Sequence, residues 1–303
     1  MANTIDLAQK FLPLLDEKLA VEAKSSILNA PEEFVREGAR AGSVLIPTME
    51  LQGLGDYSRA TGFPQGDVTL EWQEFALTQD RGRTFSIDAM DNEESVGVAF
   101  GRLAGEFLRA YVAPEIDAYR FATLANAAGN SAAADLTVAT VIGAIDTAIT
   151  TLDDAEVPEE GRILFVSPTV YNMIKQSDAY VRLYKQDRNF EEFDGMPVIK
   201  VPQGRFISKI DLLDGVTTGQ IAGGYVADTD GVDINFLIVW KPAVLGVVKH
   251  AVPRIFSPQE NQVADAWKFD YRIYHDIFVP ANKLDGVYVH TKAPVPPPVG
   301  TGD

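Results

Sequence analysis

Residues 68–88 read Val68-Thr69-Leu70-Glu71-Trp72-Gln73-Glu74-Phe75-Ala76-Leu77-Thr78-Gln79-Asp80-Arg81-Gly82-Arg83-Thr84-Phe85-Ser86-Ile87-Asp88. Val68, Leu70 and Trp72 alternate with Thr69 and Glu71, the two-residue period of a strand. The apolar phase then moves to Phe75 and Leu77, which predicts a bulge or a twist. Phe85 and Ile87 alternate again with Thr84 and Ser86. Between the runs, residues 78–83 are polar, and Gly82 suits a turn. With the irregular stretch 57–66 ahead of it, this pattern predicts one long hairpin over residues 56–90. Arms of ten to fifteen residues would span roughly 35–50 Å. A free two-stranded ribbon is marginal in water, so this one needs a surface to lie on. Arg59, Arg81 and Arg83 gather on it. Either they are ordinary solubility charge, or they pair with acidic surface on a neighbouring subunit.

Upstream, residues 1–55 have little core of their own. Phe11, Leu12, Leu14, Leu15 and Leu19 form a short apolar stretch broken by Pro13, and Phe34 and Val35 begin another. The segment is either a loosely ordered terminus or an arm that becomes ordered on another subunit. Downstream, Asp91-Asn92-Glu93-Glu94 offers a helix cap with an acid three positions on. Val96, Phe100, Leu103, Phe107 and Tyr111 follow at helical spacing. Pro114 should kink or restart the helix, which resumes through Ile116, Tyr119 and Leu124 to a stop at Gly129. From 91 to 128 it would be roughly 55 Å long.

Residues 130–242 alternate helix and strand. Val138, Ile142, Ile145, Ile149 and Leu152 make an amphipathic helix, and 163–166 a short buried strand. Ser167-Pro168 supplies an N-cap and a first-turn proline. Residues 196–201 and 234–240 read as further strands, with a turn at 228–231. Over 243–292 the chain returns to β-structure. Trp267, Phe269, Tyr271, Ile273, His275, Ile277 and Val279 hold every second position, with Lys268, Asp270, Arg272 and Asp276 opposite. Residues 293–303 form a Pro- and Gly-rich tail.

Motifs that carry chemistry are scarce. The 303 residues hold no cysteine, which removes disulfides, thiolate metal sites and cysteine nucleophiles together. His250, His275 and His290 lack helical metal spacing, and His275 sits on an apolar strand face, as a core histidine would. Asp228, Asp230 and Asp233 lack the ligand pattern of a calcium loop and read as a turn. No phosphate loop, GxSxG or HExxH is present. Glu159/Glu160 and Glu191/Glu192 are acidic pairs in polar loops; a glycosidase would need two carboxylates converging across a cleft. The net charge is −17, which argues against binding nucleic acid through a basic surface. The N-terminus has early Asp6 and Asp16 and is expected to be neither a secretory signal nor a membrane span. A soluble chain made in a cytoplasm is the expectation.

In this order, these elements resemble a tailed-bacteriophage major capsid protein, of the fold shared with encapsulin shells and the herpesvirus capsid floor. The residues that carry the resemblance are 57–59, 78–88 leading into 91–94, 157–168, and 269–279. The resemblance implies an α+β fold in five parts. An N-terminal arm (1–55) is followed by an extended E-loop hairpin (56–90). A peripheral P domain (91–132 and 243–292) is built from a long spine helix and a long antiparallel sheet. An α/β axial A domain (133–242) and a tail (293–303) complete it. It implies a structural protein rather than an enzyme, with no catalytic, cofactor or metal residues.

The implied partners are other copies, arranged as hexamers and pentamers in an icosahedral virion shell around double-stranded DNA. That DNA would be enclosed without sequence-specific binding. Scaffolding, portal and decoration proteins are further partners, and no membrane is involved. Synthesis would be in the host bacterial cytoplasm. Arg59, Glu71, Trp72, Phe75, Arg81, Arg83 and Phe85 are the expected inter-subunit contacts: the charges set register and the aromatics supply area. Some relatives carry a long N-terminal scaffolding segment; with some 55 residues ahead of the hairpin, that segment is expected here to be absent, to have been removed or to be a separate protein, and assembly should be noncovalent. An encapsulin-type shell is the alternative, and a carbohydrate-active hydrolase a remote one.

Overall fold

The computed structural model describes residues 23–30, 36–37, 43–57, 59, 62–90, 98–177 and 191–295. The expected apolar stretch at 11–19, the helical start at 34–35 and the helix cap at 91–94 lie outside these residues.

The hairpin is real, but it is made of other strands. β1 (Arg36–Glu37), β2 (Ser43–Leu51) and β3 (Val68–Ala76) form an antiparallel sheet in that order. β2 and β3 pair without a break from Ser43↔Ala76 to Leu51↔Val68. The ribbon therefore spans 43–76, with its tip between Leu51 and Val68, and not 56–90. β4 (Gln79–Asp88) does not fold back on β3. It runs on to pair with β13 (Ala266–Phe278), from Gln79↔His275 to Asp88↔Ala266.

The reason lies at the crossing. Leu77 is buried, and Thr78 donates from its backbone N–H and its hydroxyl to the Asp276 carboxylate, both at 2.8 Å. That anchor carries the chain straight into the next sheet. Gly82 is not a turn: it lies mid-strand, where a Cβ would stand 2.8 Å from the Tyr271 carbonyl oxygen. Nor is there a bulge at Phe75. Because the register is continuous, the phase change marks where the ribbon stops projecting and packs down on Phe75.

The long sheet has the order β12-β13-β4, with β12 being Leu245–Phe256. Phe269, Tyr271, Ile273, His275 and Ile277 are buried on alternate positions, as their period requires. Asp276 is buried as well, against expectation, because it receives the Thr78 donors. The spine runs through α1 (Val98–Phe107), a π-helical turn (Leu108–Val112) and α2 (Ala113–Ala127). The wide turn comes directly before Pro114, whose missing N–H cannot continue the α-helical ladder. Ala104, Leu108, Val112 and Ile116 form the stripe that packs on Phe269, Tyr271 and Ile273. The described helix, 98–127, is about 45 Å long at 1.5 Å per residue. Ala128 ends it in extended conformation. Gly129 is required for a close approach rather than a left-handed cap, since a Cβ there would lie 2.7 Å from the Leu284 carbonyl.

The α/β unit is a six-stranded sheet. Its strands in chain order are β5 (Asn130–Ala133), β6 (Arg162–Val166), β7 (Glu192–Phe193), β8 (Met196–Lys200), β11 (Ile234–Trp240) and β14 (Val287–Thr291), placed β5-β14-β11-β6-β8-β7. β9 (Ile210–Leu212) and β10 (Tyr225–Ala227) form a small hairpin between β8 and β11. α3 (Val141–Asp154) and α4 (Pro168–Gln176) cover one face through Val141, Ile145, Leu152 and Ile174. Phe121 and Leu124 of α2 cover the other. Every residue of β6 and β14 is buried, and this two-sided burial explains the apolar runs 163–166 and 287–289 within them.

β14, expected among the returning strands of the long sheet, instead lies inside this sheet between β5 and β11. Val287-Tyr288-Val289 needs apolar cover on both faces, and the α/β sheet supplies it. The Ser167 cap is present, accepting from Val170 N at 3.3 Å. The 228–231 turn closes with Gly231 N donating to Asp228 O.

Candidate assembly surfaces

The ribbon of β2 and β3 presents an apolar ladder. Val68, Leu70 and Trp72 project from one side of β3 and are 65%, 53% and 43% exposed. At the tip, Leu54, Tyr57 and Phe63 are exposed too, with the Tyr57 and Phe63 rings 4.8 Å apart. A ribbon with large apolar side chains exposed at this spacing offers a surface that a neighbour can cover. The base is different. Phe75 stacks near Phe278 at 5.0 Å and packs beside Val44, Leu77 and Val247.

Of the seven expected contact residues, Arg59 stands exposed at the tip, and Glu71 and Trp72 stand exposed on the ribbon. Phe75 seats the ribbon on its own chain. Phe85 lies in an aromatic cluster, 4.8 Å from Phe107 and 6.5 Å from Phe269. Arg81 and Arg83 are on β4, away from the ribbon, and both donate within the chain. Arg81 Nε pairs with Glu115 at 2.7 Å, and its Nη2 donates to the carbonyls of Leu213 and Gly224. Arg83 Nη2 donates to the Ile221 carbonyl at 3.1 Å. The three arginines therefore do not gather on one hairpin.

A second constellation escapes sequence reading. Asp117 on α2 is fully buried and accepts from the backbone of Lys24 and Ser25, both at 2.9 Å, from the Ser25 hydroxyl at 2.7 Å and from Arg205 at 3.2 Å. One turn on, buried Arg120 donates to Ser25 O and to Asn29 Oδ1. Burial pulls its guanidinium down to about 10, still charged at neutral pH. Together they tie the 3₁₀ turn Lys24–Leu28 to the spine, with Leu28 sealed in the core and Asn29 bridged to Gly246. This part of the expected arm is thus ordered on its own chain. The signal that could have found it is an acid and a base, Asp117 and Arg120, on the apolar side of the helix.

Beside it, Tyr119 donates to Asp276 at 2.8 Å, and burial raises its phenol above the ordinary range. His275 is 2% exposed and packs edge-on against Tyr119. Burial, with the Arg120 and Arg81 charges near it, pushes His275 down to about 3. It is a core histidine, as expected, and its Nδ1 has no hydrogen-bond partner among the described residues.

Little else could perform chemistry. Among the described residues no group of three His, Asp or Glu side chains could hold a metal. Lys209 pairs with Asp228 at 3.0 Å and Asp230 at 3.4 Å, which accounts for that acidic turn. Glu159, Glu160, Glu191 and Glu192 are all exposed. No described helix is long and apolar enough to cross a membrane.

A family model described as phage capsid protein matches residues 73–288. The chain belongs to that family. It is a phage major capsid protein. No curated protein matches the sequence. Solved structures agree in fold. A structure from Mycobacterium phage Che8 superposes with a TM-score of 0.59 at 16% identity, over 88% of this chain and 89% of its own. The head structure of Helicobacter pylori bacteriophage KHP40 gives 0.56 at 14%, over 82% and 84%. A structure from Microbacterium phage Oxtober96 gives 0.56 at 14%, over 87% and 90%. This capsid protein is accordingly a structural component of the virion shell, and the encapsulin-type alternative is not favoured.

Proposed function

We propose that this capsid protein assembles into hexamers and pentamers of an icosahedral shell that encloses double-stranded DNA. The single observation that carries the assembly reading is the ladder Val68, Leu70 and Trp72, large apolar side chains left 65%, 53% and 43% exposed on one ribbon. Complete burial of a Val or Leu side chain stabilises by roughly 1.5–3 kcal/mol. Since these side chains are already partly covered, a neighbour gains about half of that from each. Repeated over every subunit of a closed symmetric shell, such contacts favour closure.

On this reading the E-loop is 43–76, shorter at its C-terminal end than the expected 56–90 and longer at its N-terminal end. The P domain is the spine with β4, β12 and β13, and the A domain is the six-stranded sheet with its helices, β14 included. Arg59, Glu71 and Trp72 are the contacts made with a neighbour. Phe75 and Phe85 hold the ribbon base and the spine in place within the chain. Synthesis takes place in the host bacterial cytoplasm, and scaffolding, portal and decoration proteins join the shell.

Electron microscopy of the expressed chain, alone and with its phage's scaffold, tests the proposal. Rings, tubes or shells are expected. A product that stays monomeric under both conditions overturns it.

A further inference from the structure

The loop between β9 and β10, residues 213–224, has no buried residue. Val216 and Ile221 are 84% and 60% exposed. Apolar packing therefore does not hold the loop in place, yet it is a formed object. The Asp214 carboxylate accepts from the backbone of Val216 at 2.8 Å and of Thr217 at 2.9 Å, and from the Thr217 hydroxyl. Gln220 Oε1 accepts from Asp214 N at 3.1 Å, and Gly223 N donates to Gln220 O at 2.9 Å. Braced in this way, the loop can move as one block.

That block is tied to β4 of the long sheet by two arginines. Arg81, held at Nε by Glu115, reaches the carbonyls of Leu213 and Gly224 at the two feet of the loop. Arg83 reaches the Ile221 carbonyl farther out. The fit around Arg83 is close. A Cβ on Gly215 would lie 2.8 Å from Arg83 Nη1, and one on Gly223 would lie 3.0 Å from it. Both glycines also have positive φ, +75° and +68°. They form a notch that a guanidinium fills and a side chain would close. Under the loop, between β4, β13 and the spine, is a cavity of about 450 Å³ lined by Phe85, Phe107, Tyr111, Ile273 and His275. The loop spans this space on polar ties instead of resting on it.

We propose that Arg81 and Arg83 form an intramolecular latch between the long sheet and the β9–β10 excursion of the α/β unit, and that this latch fixes where the loop 213–224 stands when the subunit enters a shell. This rests on the shell reading above and adds to it: the loop is set in place inside each subunit before neighbours meet. Planar, multidentate donation explains the use of arginine in place of lysine at Arg81, and the fit of a flat guanidinium into the glycine notch explains it at Arg83.

The test uses the full chain. Hydrogen exchange is measured on unassembled wild type, Arg83→Lys and the Arg81→Ala, Arg83→Ala double variant. Assembled particles are then sized by electron microscopy. In the double variant, amides of 213–224 should exchange at least tenfold faster, while those of β6, β11 and β14 keep wild-type rates. Its particles should spread over several diameters or form open sheets. Arg83→Lys keeps the charge but cannot fill the notch, so it should fall between the two, and it serves should the double variant fail to fold. Unchanged loop exchange overturns the latch. Faster exchange with an unchanged particle size overturns the loop's role in assembly. Wild type that forms no particles, while its loop still responds, overturns the shell reading and leaves the latch standing.

Discussion

Asp117 shows how far one buried side chain can reach in this protein. Its carboxylate is fully buried and satisfied by Lys24, Ser25 and Arg205. Removing one partner of a buried pair leaves the other charge unpaired, at a cost of about 3–5 kcal/mol. Asp117→Ala should therefore lower stability by that much in urea denaturation and raise hydrogen exchange over 23–29. Unchanged exchange there would show that Asp117 does not hold the segment.

His275 makes a different prediction, on pH. Its folded value is depressed to about 3, mainly by burial, from an ordinary value near 6.5. Between those two values the unfolded chain binds a proton that the folded chain does not. Stability is therefore lost as pH falls from about 6.5 toward 3, by up to about 1.4 kcal/mol per pH unit from this group. His275→Gln should flatten the stability profile between pH 6 and 4, measured on unassembled protein; an equally steep profile would rule out His275 as a source of acid lability.

The ribbon shows what periodicity could and could not reveal. Alternation in 68–77 and 84–87 identified two strands, since a two-residue period follows from the pleat itself, while the polar residues 79–83, read as a turn, form the first half of the second strand. It could not identify their partners. β3 pairs backward with β2 and β4 pairs forward with β13, nearly two hundred residues away. β2 carries Pro47, a residue that cannot donate to a strand ladder, and so does not announce itself as a partner; Pro47 nevertheless lies within the strand, opposite Trp72. The spine was legible in its stripe and in its break at Pro114, and the Ser167 cap in its dipeptide. Asp117 and Arg120 were missed because a charged residue on a helix is read as solvent-facing until its partners are known.

Substituting the ladder separates its two possible roles. A Leu70→Ser, Trp72→Ser double variant should lose about 1.5–3 kcal/mol of stability, the share of full burial that the subunit itself already supplies, yet still fold, and fail to form shells in electron microscopy. A larger loss of stability would place these side chains in the subunit's own core instead.

At the scale of the whole molecule, the charge of −17 fits a container that does not adhere to its contents. Phosphate binding needs clustered Lys and Arg, and here Arg81, Arg83, Arg120, Arg162 and Arg205 donate inside the chain. Shells assembled without a packaging motor should therefore hold almost no nucleic acid, checked by their absorbance ratio at 260 and 280 nm. Shells that fill with host RNA would reveal a basic inner wall.

By itself the sequence determined most of the strands, the stripe of the spine helix, the Ser167 cap and the family order in which the elements come. These depend on side-chain spacing and on hydrogen bonds within a few residues, and so are written locally. Only the tertiary structure decided which edge each strand takes, why β14 leaves the long sheet, which charges go inside, and that Arg81 and Arg83 turn inward rather than toward a neighbour. Backbone N–H and C=O groups are the same at every strand edge, so pairing is chosen by how faces, buried anchors and distant segments fit once the chain has closed on itself.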